Sequence, residues 1–394
     1  MDHSEKIRPI DWLLVVGAIM APMTGLRVWK IGPAEVLCFI WCICRLHVRR
    51  IPVTPYVKFF GVFLSSMLIG TFICSFVAPN ELSLLGGWAT WIYLSFIACT
   101  LFDRLTTNEL EYNLKLLDVI CRGCVIWYLF LYIYSISISR SFWGAPLWYY
   151  SRYTGGATNP HQVAVMLCGV AFWFSRKILI HDKPLKNAVY FAVAVYLERL
   201  TDSSTGTASI FVGIFISVLL FTNLHVKNKR SRNAAFVLEV LIGLLIAIVF
   251  RDVIYSMLYE WVSEDSNGLG RFYIWSSFNN MFVKSPIFGL GPGNHALTAA
   301  GNMIEFHNGY LELYAATGAA GFIAFIVLTV WIYKQVMRGD SYLLPIIVCL
   351  YAYSMAGFAF RRLAYWIISI FVIVISIQME EKNNEGEMGR FQPR

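Results

Sequence analysis

The chain has 394 residues, of which 58% are hydrophobic and only 14% are charged. A water-soluble domain contains about a quarter charged residues, so this chain could not cover its own surface in water. Its net charge of +8 comes largely from basic loops between apolar segments, so a nucleic-acid partner is not needed to explain it. We therefore predict an all-α, polytopic integral membrane protein.

Apolar blocks recur along the whole chain, and most approach the ~20 residues with which a helix spans ~30 Å of hydrocarbon. No linker or charge run separates them, so we predict a single transmembrane domain over 1–394. No removable signal peptide is expected at its start. The blocks predict about twelve transmembrane helices, at 10–26, 32–48, 57–78, 87–102, 115–137, 160–178, 187–199, 204–222, 233–252, 309–333, 341–358 and 363–379.

Basic residues gather in every second loop, which is the pattern of the cytoplasmic side of a membrane protein. Three arginines lie at or after the end of the second span, and four basic residues lie at or after the end of each of the sixth and eighth spans. The loop at 79–86 has no basic residue. This bias predicts that both termini are cytoplasmic. The longest polar loop, 253–308, then lies outside, between the ninth and tenth spans.

The 253–308 loop is too polar to cross a membrane, and we expect the chemistry of the protein there. Four of its residues recur at helical spacing, which predicts an amphipathic helix on the outer face that stops at Ser285-Pro286. The glycines of 289–293 lack the Lys-Ser/Thr of a phosphate-binding loop and follow no strand, so they predict a turn and no nucleotide site. The spaced residues are Arg271, Trp275, Phe278 and Phe282.

His307 stands directly before the tenth span, with Asn308 beside it. An imidazole titrates near neutral pH and can take a proton from a hydroxyl nucleophile, so His307 is the candidate catalytic base. His161 opens the sixth span and faces the same compartment. Its residue pattern is compatible with a helix start at Asn159-Pro160 and with a supporting role at the substrate.

The turn at 198–206 has two interpretations, and the sequence leaves both open. Arg199 can pair with Asp202 or Glu198 in a tight helical hairpin, with Asp202 or Ser203 capping the next helix. Alternatively, Arg199 and the free N–H groups of that helix start form an anion site. A charge at this depth is costly unless it is paired.

The cysteines and acids predict neither a disulfide framework nor a metal site. All nine cysteines lie within or at the ends of predicted spans, and none lies in the large loop. The outward-facing acids form no Asp-x-Asp pair. We therefore expect no metal and no other cofactor.

At several of these positions the chain resembles the O-antigen polymerase and ligase superfamily of bacterial envelope enzymes. The resemblance rests on Gly-Arg-x-x-x-Trp at 270–275, Pro-x-x-Gly-x-Gly at 286–291, and His-Asn-x-x-Leu-Glu at 307–312 followed by Gly318 and Gly321. It implies a metal-independent, inverting glycosyltransferase of the bacterial inner membrane, with the large loop periplasmic. The implied donor is a glycan linked to undecaprenyl diphosphate.

The resemblance also implies roles for individual residues. His307 would accept the proton of the acceptor hydroxyl. Arg271 would neutralise the charge of the departing diphosphate, because a guanidinium group forms bidentate hydrogen bonds with phosphate. Many members carry a basic residue where this chain has Ser204, so Arg199 or the Arg361-Arg362 pair would supply that charge. The remaining candidate substrate-binding residues are Asn308, Gly291, Gly293 and His161.

Three functions follow from this interpretation. We favour polymerisation of lipid-linked repeat units, because Thr24-Gly25-Leu26-Arg27 and Ile31-Gly32 resemble the polymerases. The first alternative is a ligase that moves the glycan onto lipid A-core. The second is a flippase for the lipid-linked sugar, against which stand the absence of an internal repeat and the position of the polar residues outside the midplane. Expected partners are membrane lipid, a chain-length regulator and a flippase of the same pathway.

Overall fold

The computed structural model describes most of the chain apart from the termini and much of 227–270. The described residues are 6–28, 31–46, 52–226, 228, 231, 233–234, 236–239, 241, 248, 251, 255, 271–297 and 301–390. The predicted ninth span, 233–252, and most of the 253–308 loop before Arg271 lie largely outside them.

Within the described ranges the fold is built from thirteen α-helices, and the fold class is as predicted. Seven of them are long and apolar enough to cross a membrane. The helices are α1 (Asp11–Met20), α2 (Pro33–Leu46), α3 (Pro55–Val77), α4 (Leu84–Thr106), α5 (Leu110–Ser137), α6 (His161–Leu179), α7 (Pro184–Leu200), α8 (Ser204–His225), α9 (Arg271–Ser276), α10 (Phe278–Lys284), α11 (Gly309–Gly339), α12 (Leu344–Ser354) and α13 (Leu363–Arg390).

Helix α1 is much shorter than the predicted span 10–26. Its ten residues extend only ~15 Å, about half the thickness of the hydrocarbon. The helix stops because Pro22 follows it and the chain then makes a single 3-10 turn at Thr24–Leu26. The segment after α1, which includes Arg27, is therefore loop and can reach the interior.

The predicted amphipathic helix of the large loop is two short helices. Helix α9 ends at Ser276, Ser277 turns the chain, and α10 ends at Lys284, directly before the predicted stop at Ser285-Pro286. The Ser277 hydroxyl donates to the Ile274 carbonyl at 2.6 Å and accepts from the Leu297 N–H at 3.0 Å. Ser277 thus interrupts the helix by tying it to a two-residue strand of the same loop.

Three small hairpins were not predicted. Strands β1 (Ser141–Phe142) and β2 (Ala145–Pro146), then β3 (Trp148–Tyr149) and β4 (Arg152–Tyr153), follow α5, and β5 (Ala296–Leu297) pairs with β6 (Met303–Ile304). All pairs are antiparallel and too short to show a period-two pattern in the sequence.

Helices α6 and α13 form the centre of the molecule. In the most apolar stretch of each helix, 83% of the residues of α6 and 78% of those of α13 are buried against protein. The corresponding value for α3 and for α8 is 33%. A helix that is apolar all round and buried on all sides belongs to the interior of a bundle. The start of α13 is therefore directed toward the interior of the fold. Arg361 and Arg362 directly precede it.

Helix α11 is broken at Gly318, whose φ of 62° and ψ of −164° are not helical. The break leaves backbone groups of the helix without their usual partners, and residues 286–291 supply new ones. The Leu290 and Gly291 N–H groups donate to the Ala315 and Ala316 carbonyls at 2.7 and 3.1 Å. Two further hydrogen bonds run in the opposite direction, from the Ala319 and Ala320 N–H groups to the Pro286 and Ile287 carbonyls at 2.9 and 3.0 Å.

This interlock explains the glycines of the motif at 286–291. A Cβ atom on Gly289 would lie 2.6 Å from the Gly318 nitrogen, and one on Gly318 would lie 2.4 Å from the Gly289 nitrogen. Both glycines have positive φ, at 69° and 62°. On the opposite side, Gly70 of α3 allows the Phe288 carbonyl to approach, where a Cβ would lie 2.5 Å away. The loop is thus fixed between α3 and α11.

Candidate functional site

A cavity of about 790 Å³ lies where the 286–295 loop, α2, α4 and the start of α13 meet. This is the size of a pocket for a small organic ligand. Gly291 and Gly293, both predicted substrate residues, line it, with Pro292 between them. Its walls also carry the aromatic side chains Phe39, Trp91, Tyr93 and Phe358.

Three arginines line the cavity, and they come from opposite ends of the chain: Arg27, Arg361 and Arg362. Arg27 follows the 3-10 turn after α1 and forms an ion pair with Glu35 of α2. Its segment is held in place by the loop before α6, since the Gly25 N–H donates to the Gly156 carbonyl at 2.9 Å. The Thr158 N–H also donates to the Thr24 hydroxyl at 3.0 Å.

Arg361 and Arg362, the charged pair noted in the sequence, directly precede α13. Arg361 Nη1 is 2.6 Å from a carboxylate oxygen of Glu305, and its guanidinium lies 4.9 Å from the centre of the Phe358 ring. With the Gln162 amide oriented so that its nitrogen donates to the Pro22 carbonyl at 3.2 Å, its oxygen accepts from Arg362 Nη1 at 3.1 Å. Burial, and then the neighbouring Arg361, lower the pKa of Arg362 to about 10, so it remains cationic at neutral pH.

Two glutamates near this pair have different surroundings. Burial raises the pKa of Glu305, but the charge and hydrogen bond of Arg361 outweigh burial and bring the pKa below its ordinary value. Glu312, in the first turn of α11, is buried and accepts a hydrogen bond from the Phe306 N–H. Both carboxyl groups line the cavity beside the arginines.

His307 lies in a turn next to this group, exposed to solvent and outside the cavity lining. Its φ of 53° is in the left-handed region, which a side-chain-bearing residue rarely adopts. His307 is the last and smallest of the groups that lower the pKa of Glu305, after Arg361 and Arg362. The next residue, Asn308, caps α11: its side-chain oxygen accepts from the Tyr310 and Leu311 N–H groups at 3.0 and 3.2 Å.

Arg271 is the first residue of α9, and its side chain lies outside the described part of the structure. Its neighbour Trp275 donates from Nε1 to the Phe306 carbonyl at 2.9 Å. The helix that begins with Arg271 is thereby attached to the residue preceding His307.

Arg199 and His161 lie outside the cavity lining. Arg199 is 65% exposed and lies 3.9 Å from Asp202, and Ser203 caps α8 by accepting from the Gly206 N–H at 3.1 Å. The 198–206 turn therefore has the geometry of a tight helical hairpin, which is the first of its two interpretations. His161 Nδ1 is 2.8 Å from the Ser203 hydroxyl, so the start of α6 contacts the 198–206 turn.

Several cavity residues were not singled out from the sequence as site residues. Glu35 and Glu312 are ionisable residues inside predicted spans, and that property alone is a signal of a functional position. In the sequence, Arg27 is distinguished only by its place in a motif that resembles the polymerases, and Glu305 is one of the outward-facing acids without a paired acid. His295 gave no sequence signal, since it stands in an irregular loop without a repeated spacing.

His295 also belongs to the one group of potential metal ligands found among the described residues. It lies with Cys74 and Glu81, and their ligand atoms are within 4.8 Å of one another. The cavity itself presents arginines beside its glutamates, which suits an anionic ligand better than a cation.

Residues 187–326 match the family model described as O-antigen ligase, which covers roughly a third of the chain. The match includes the motifs at 270–275, 286–291 and 307–312, and with them the broken helix and the loop that locks into it. No curated protein matches the chain. Residues 187–326 of this multi-pass membrane protein are therefore similar to the O-antigen ligase family, in agreement with the resemblance to the O-antigen polymerase and ligase superfamily, and we call them the O-antigen ligase domain.

Proposed function

We propose that the protein polymerises lipid-linked oligosaccharide repeat units by glycosyl transfer from undecaprenyl diphosphate, at the outer face of the bacterial inner membrane. The observation that carries this proposal is the cavity in which Arg27, Arg361 and Arg362 stand beside the glycine loop of the O-antigen ligase domain. A lipid-linked glycan presents two phosphates next to its first sugar, and a cluster of guanidinium groups suits that pair of charges.

In the proposed reaction, the acceptor hydroxyl oxygen attacks the anomeric carbon of the donor glycan from the face opposite the diphosphate. The bond between that carbon and the diphosphate oxygen breaks, and the configuration inverts. His307 takes the proton of the attacking hydroxyl. The electron pair leaves with the diphosphate, whose developing charge is stabilised by Arg271 and the arginines of the cavity.

The ion pairs of the cavity suit a site that must release its product. Arg361 is held by Glu305, and Arg27 by Glu35. A diphosphate would compete with these carboxylates for the same guanidinium groups. Binding is then an exchange of partners, which avoids leaving buried charges without a counter-ion in the empty site. The hydrophobic helices around the cavity would hold the polyprenyl chain.

The test is the glycan that accumulates when the protein is deleted from its own cell. Single repeat units on lipid A-core are the result expected for a polymerase. Core without any repeat unit would instead identify a ligase, and intermediate that stays on the cytoplasmic side would identify a flippase. Reintroduced wild-type protein should restore long polymer, while a stably expressed Arg362→Gln variant should leave the single-unit pattern unchanged.

A further inference from the structure

We propose that Cys74, Glu81 and His295 form a zinc-binding site that fixes the wall of the cavity and is separate from the glycosyl-transfer chemistry. The three residues come from three segments. Cys74 is in the last turn of α3, Glu81 ends a 3-10 turn at Pro79–Glu81, and His295 follows the glycine loop. Cys74 is 0% exposed, and the side chains of Glu81 and His295 are 12% and 1% exposed.

The ligand atoms converge on one point. His295 Nδ1 is 3.1 Å from Glu81 Oε2, and these atoms and the Cys74 sulfur lie within 4.8 Å of one another. Ligands around a tetrahedral zinc ion lie about 3.3–3.7 Å apart, given metal–ligand lengths of ~2.0–2.3 Å. An entering ion would therefore need to draw the sulfur in by only a short distance.

The other polar atoms of these ligands are already held as metal ligands usually are. His295 Nε2 is 2.9 Å from the Gly291 carbonyl, to which it donates, so the ring presents Nδ1 to the site. Lys284 Nζ donates to Glu81 Oε1 at 2.6 Å, which leaves Oε2 directed at His295. A ligating histidine commonly donates its second N–H to a carbonyl, and a ligating carboxylate is commonly hydrogen-bonded at its outer oxygen.

The hydrogen bonds of the cluster involve the atoms that zinc would bind. The Cys74 thiol donates to the Ala78 carbonyl at 3.3 Å, and His295 Nδ1 faces Glu81 Oε2 at 3.1 Å. A thiol and an imidazole nitrogen bind a metal without their hydrogen, so zinc would replace these two hydrogen bonds with metal–ligand bonds.

The ligand set selects the metal. Thiolate, imidazole and carboxylate together suit zinc, whereas magnesium and calcium prefer oxygen ligands throughout. The fourth position would be taken by water or by a nearby carbonyl oxygen. The ion would join α3 and the turn before α4 to the chain directly after Gly293, and so would fix the glycine loop that lines the cavity.

The experiment uses the full-length protein, purified in detergent with zinc present and then passed through a desalting column. Elemental analysis should find zinc in equimolar amount with the chain. The Cys74→Ser and His295→Gln variants should lose it, and the matched control Cys349→Ser, which also removes a fully buried thiol, should keep it. A Lys284→Met variant should keep zinc with an affinity about 10–100-fold weaker.

A second measurement keeps the proposal testable if the ligand variants do not fold. Wild-type protein loaded with cobalt should show a thiolate-to-cobalt charge-transfer band in the near ultraviolet. Added zinc should displace the cobalt ion and remove the band. Removing zinc with a strong chelator should lower the melting temperature of the wild type. Wild-type protein that retains no zinc and shows no such cobalt band would overturn the proposal and leave the three residues as a hydrogen-bonded cluster.

Discussion

His307 has the backbone conformation that functional residues often have. Its φ of 53° costs free energy in a residue with a side chain, and its neighbour Asn308 is committed to capping α11. We predict that His307→Asn, which tolerates this conformation, abolishes glycan transfer while the protein remains folded in the membrane. His181→Asn is the control, because His181 is also an exposed histidine with positive φ, at 59°. Polymer of near-normal length from a well-expressed His307→Asn variant would remove His307 from the role of base.

Arg271 begins α9, which Trp275 attaches to the carbonyl of Phe306. We predict that Arg271→Lys loses nearly as much transfer activity as Arg271→Ala, because a planar guanidinium that binds a diphosphate through two parallel hydrogen bonds is not replaced by an ammonium group. Activity is measured as polymer length at equal expression. Substantial recovery with lysine would show that only positive charge is needed at this position.

Arg362 gives the cavity a dependence on pH in the alkaline range. Because the pKa of Arg362 is lowered to about 10, the residue is cationic at neutral pH and loses its charge as the pH rises through that value. We predict that sulfate, an anion whose charge is constant over this range, binds to the purified protein several-fold more weakly at pH 10.5 than at pH 8. The Arg362→Gln variant should bind sulfate weakly at both values, and an equal drop in that variant would assign the effect to another group.

At the scale of elements, the broken helix α11 and the 286–291 loop depend on each other. Each supplies the hydrogen bonds that the other lacks, and Gly289 and Gly318 are in contact where they cross. We predict that Gly289→Ala and Gly318→Ala each destabilise the fold by at least about 1–3 kcal/mol, since positive φ and steric overlap add together. Gly144→Ala is the control: its φ is 81°, but a Cβ there meets no atom within 4 Å. The melting temperature of each variant in detergent measures the difference. If all three variants lost the same stability, the destabilisation would come from positive φ alone, and the contact between α11 and the loop would add nothing.

At the scale of the whole molecule, the cavity combines residues from both ends of the chain with the loop of the O-antigen ligase domain. Three arginines line it, so the diphosphate can be neutralised by protein side chains. We predict that purified protein transfers glycan with neither Mg²⁺ nor Mn²⁺ added, and that adding either ion leaves the rate unchanged. A large rise on addition of Mg²⁺ would contradict this and direct attention to Glu35, Glu305 and Glu312. The proposed zinc ion at Cys74 is buried and plays no part in this test.

The sequence by itself determined the class of fold and the existence of most helices. Apolar blocks of sufficient length must lie in hydrocarbon, and a backbone in hydrocarbon must satisfy its hydrogen bonds internally, so helices follow from composition and length alone. The resemblance to the O-antigen polymerase and ligase superfamily was also readable, because the motifs at 270–275, 286–291 and 307–312 are local. Where helices end was less predictable: α1 stops early at Pro22, and α9 and α10 are separated by the contacts of Ser277.

The tertiary structure decided which residues share the cavity. Arg27 and Arg361 are separated by most of the chain, and only the packing of α6 and α13 in the centre, with the loop after α1 turned inward, brings them to one place. The tertiary structure also places Arg199 away from Arg27 and Arg361, because Arg199 pairs locally with Asp202. A periodic pattern reports which face of a helix is apolar and carries no information about which helix lies against it. The position of α11 was predictable, but its break at Gly318 follows from hydrogen bonds with a loop about thirty residues earlier, which no local pattern contains.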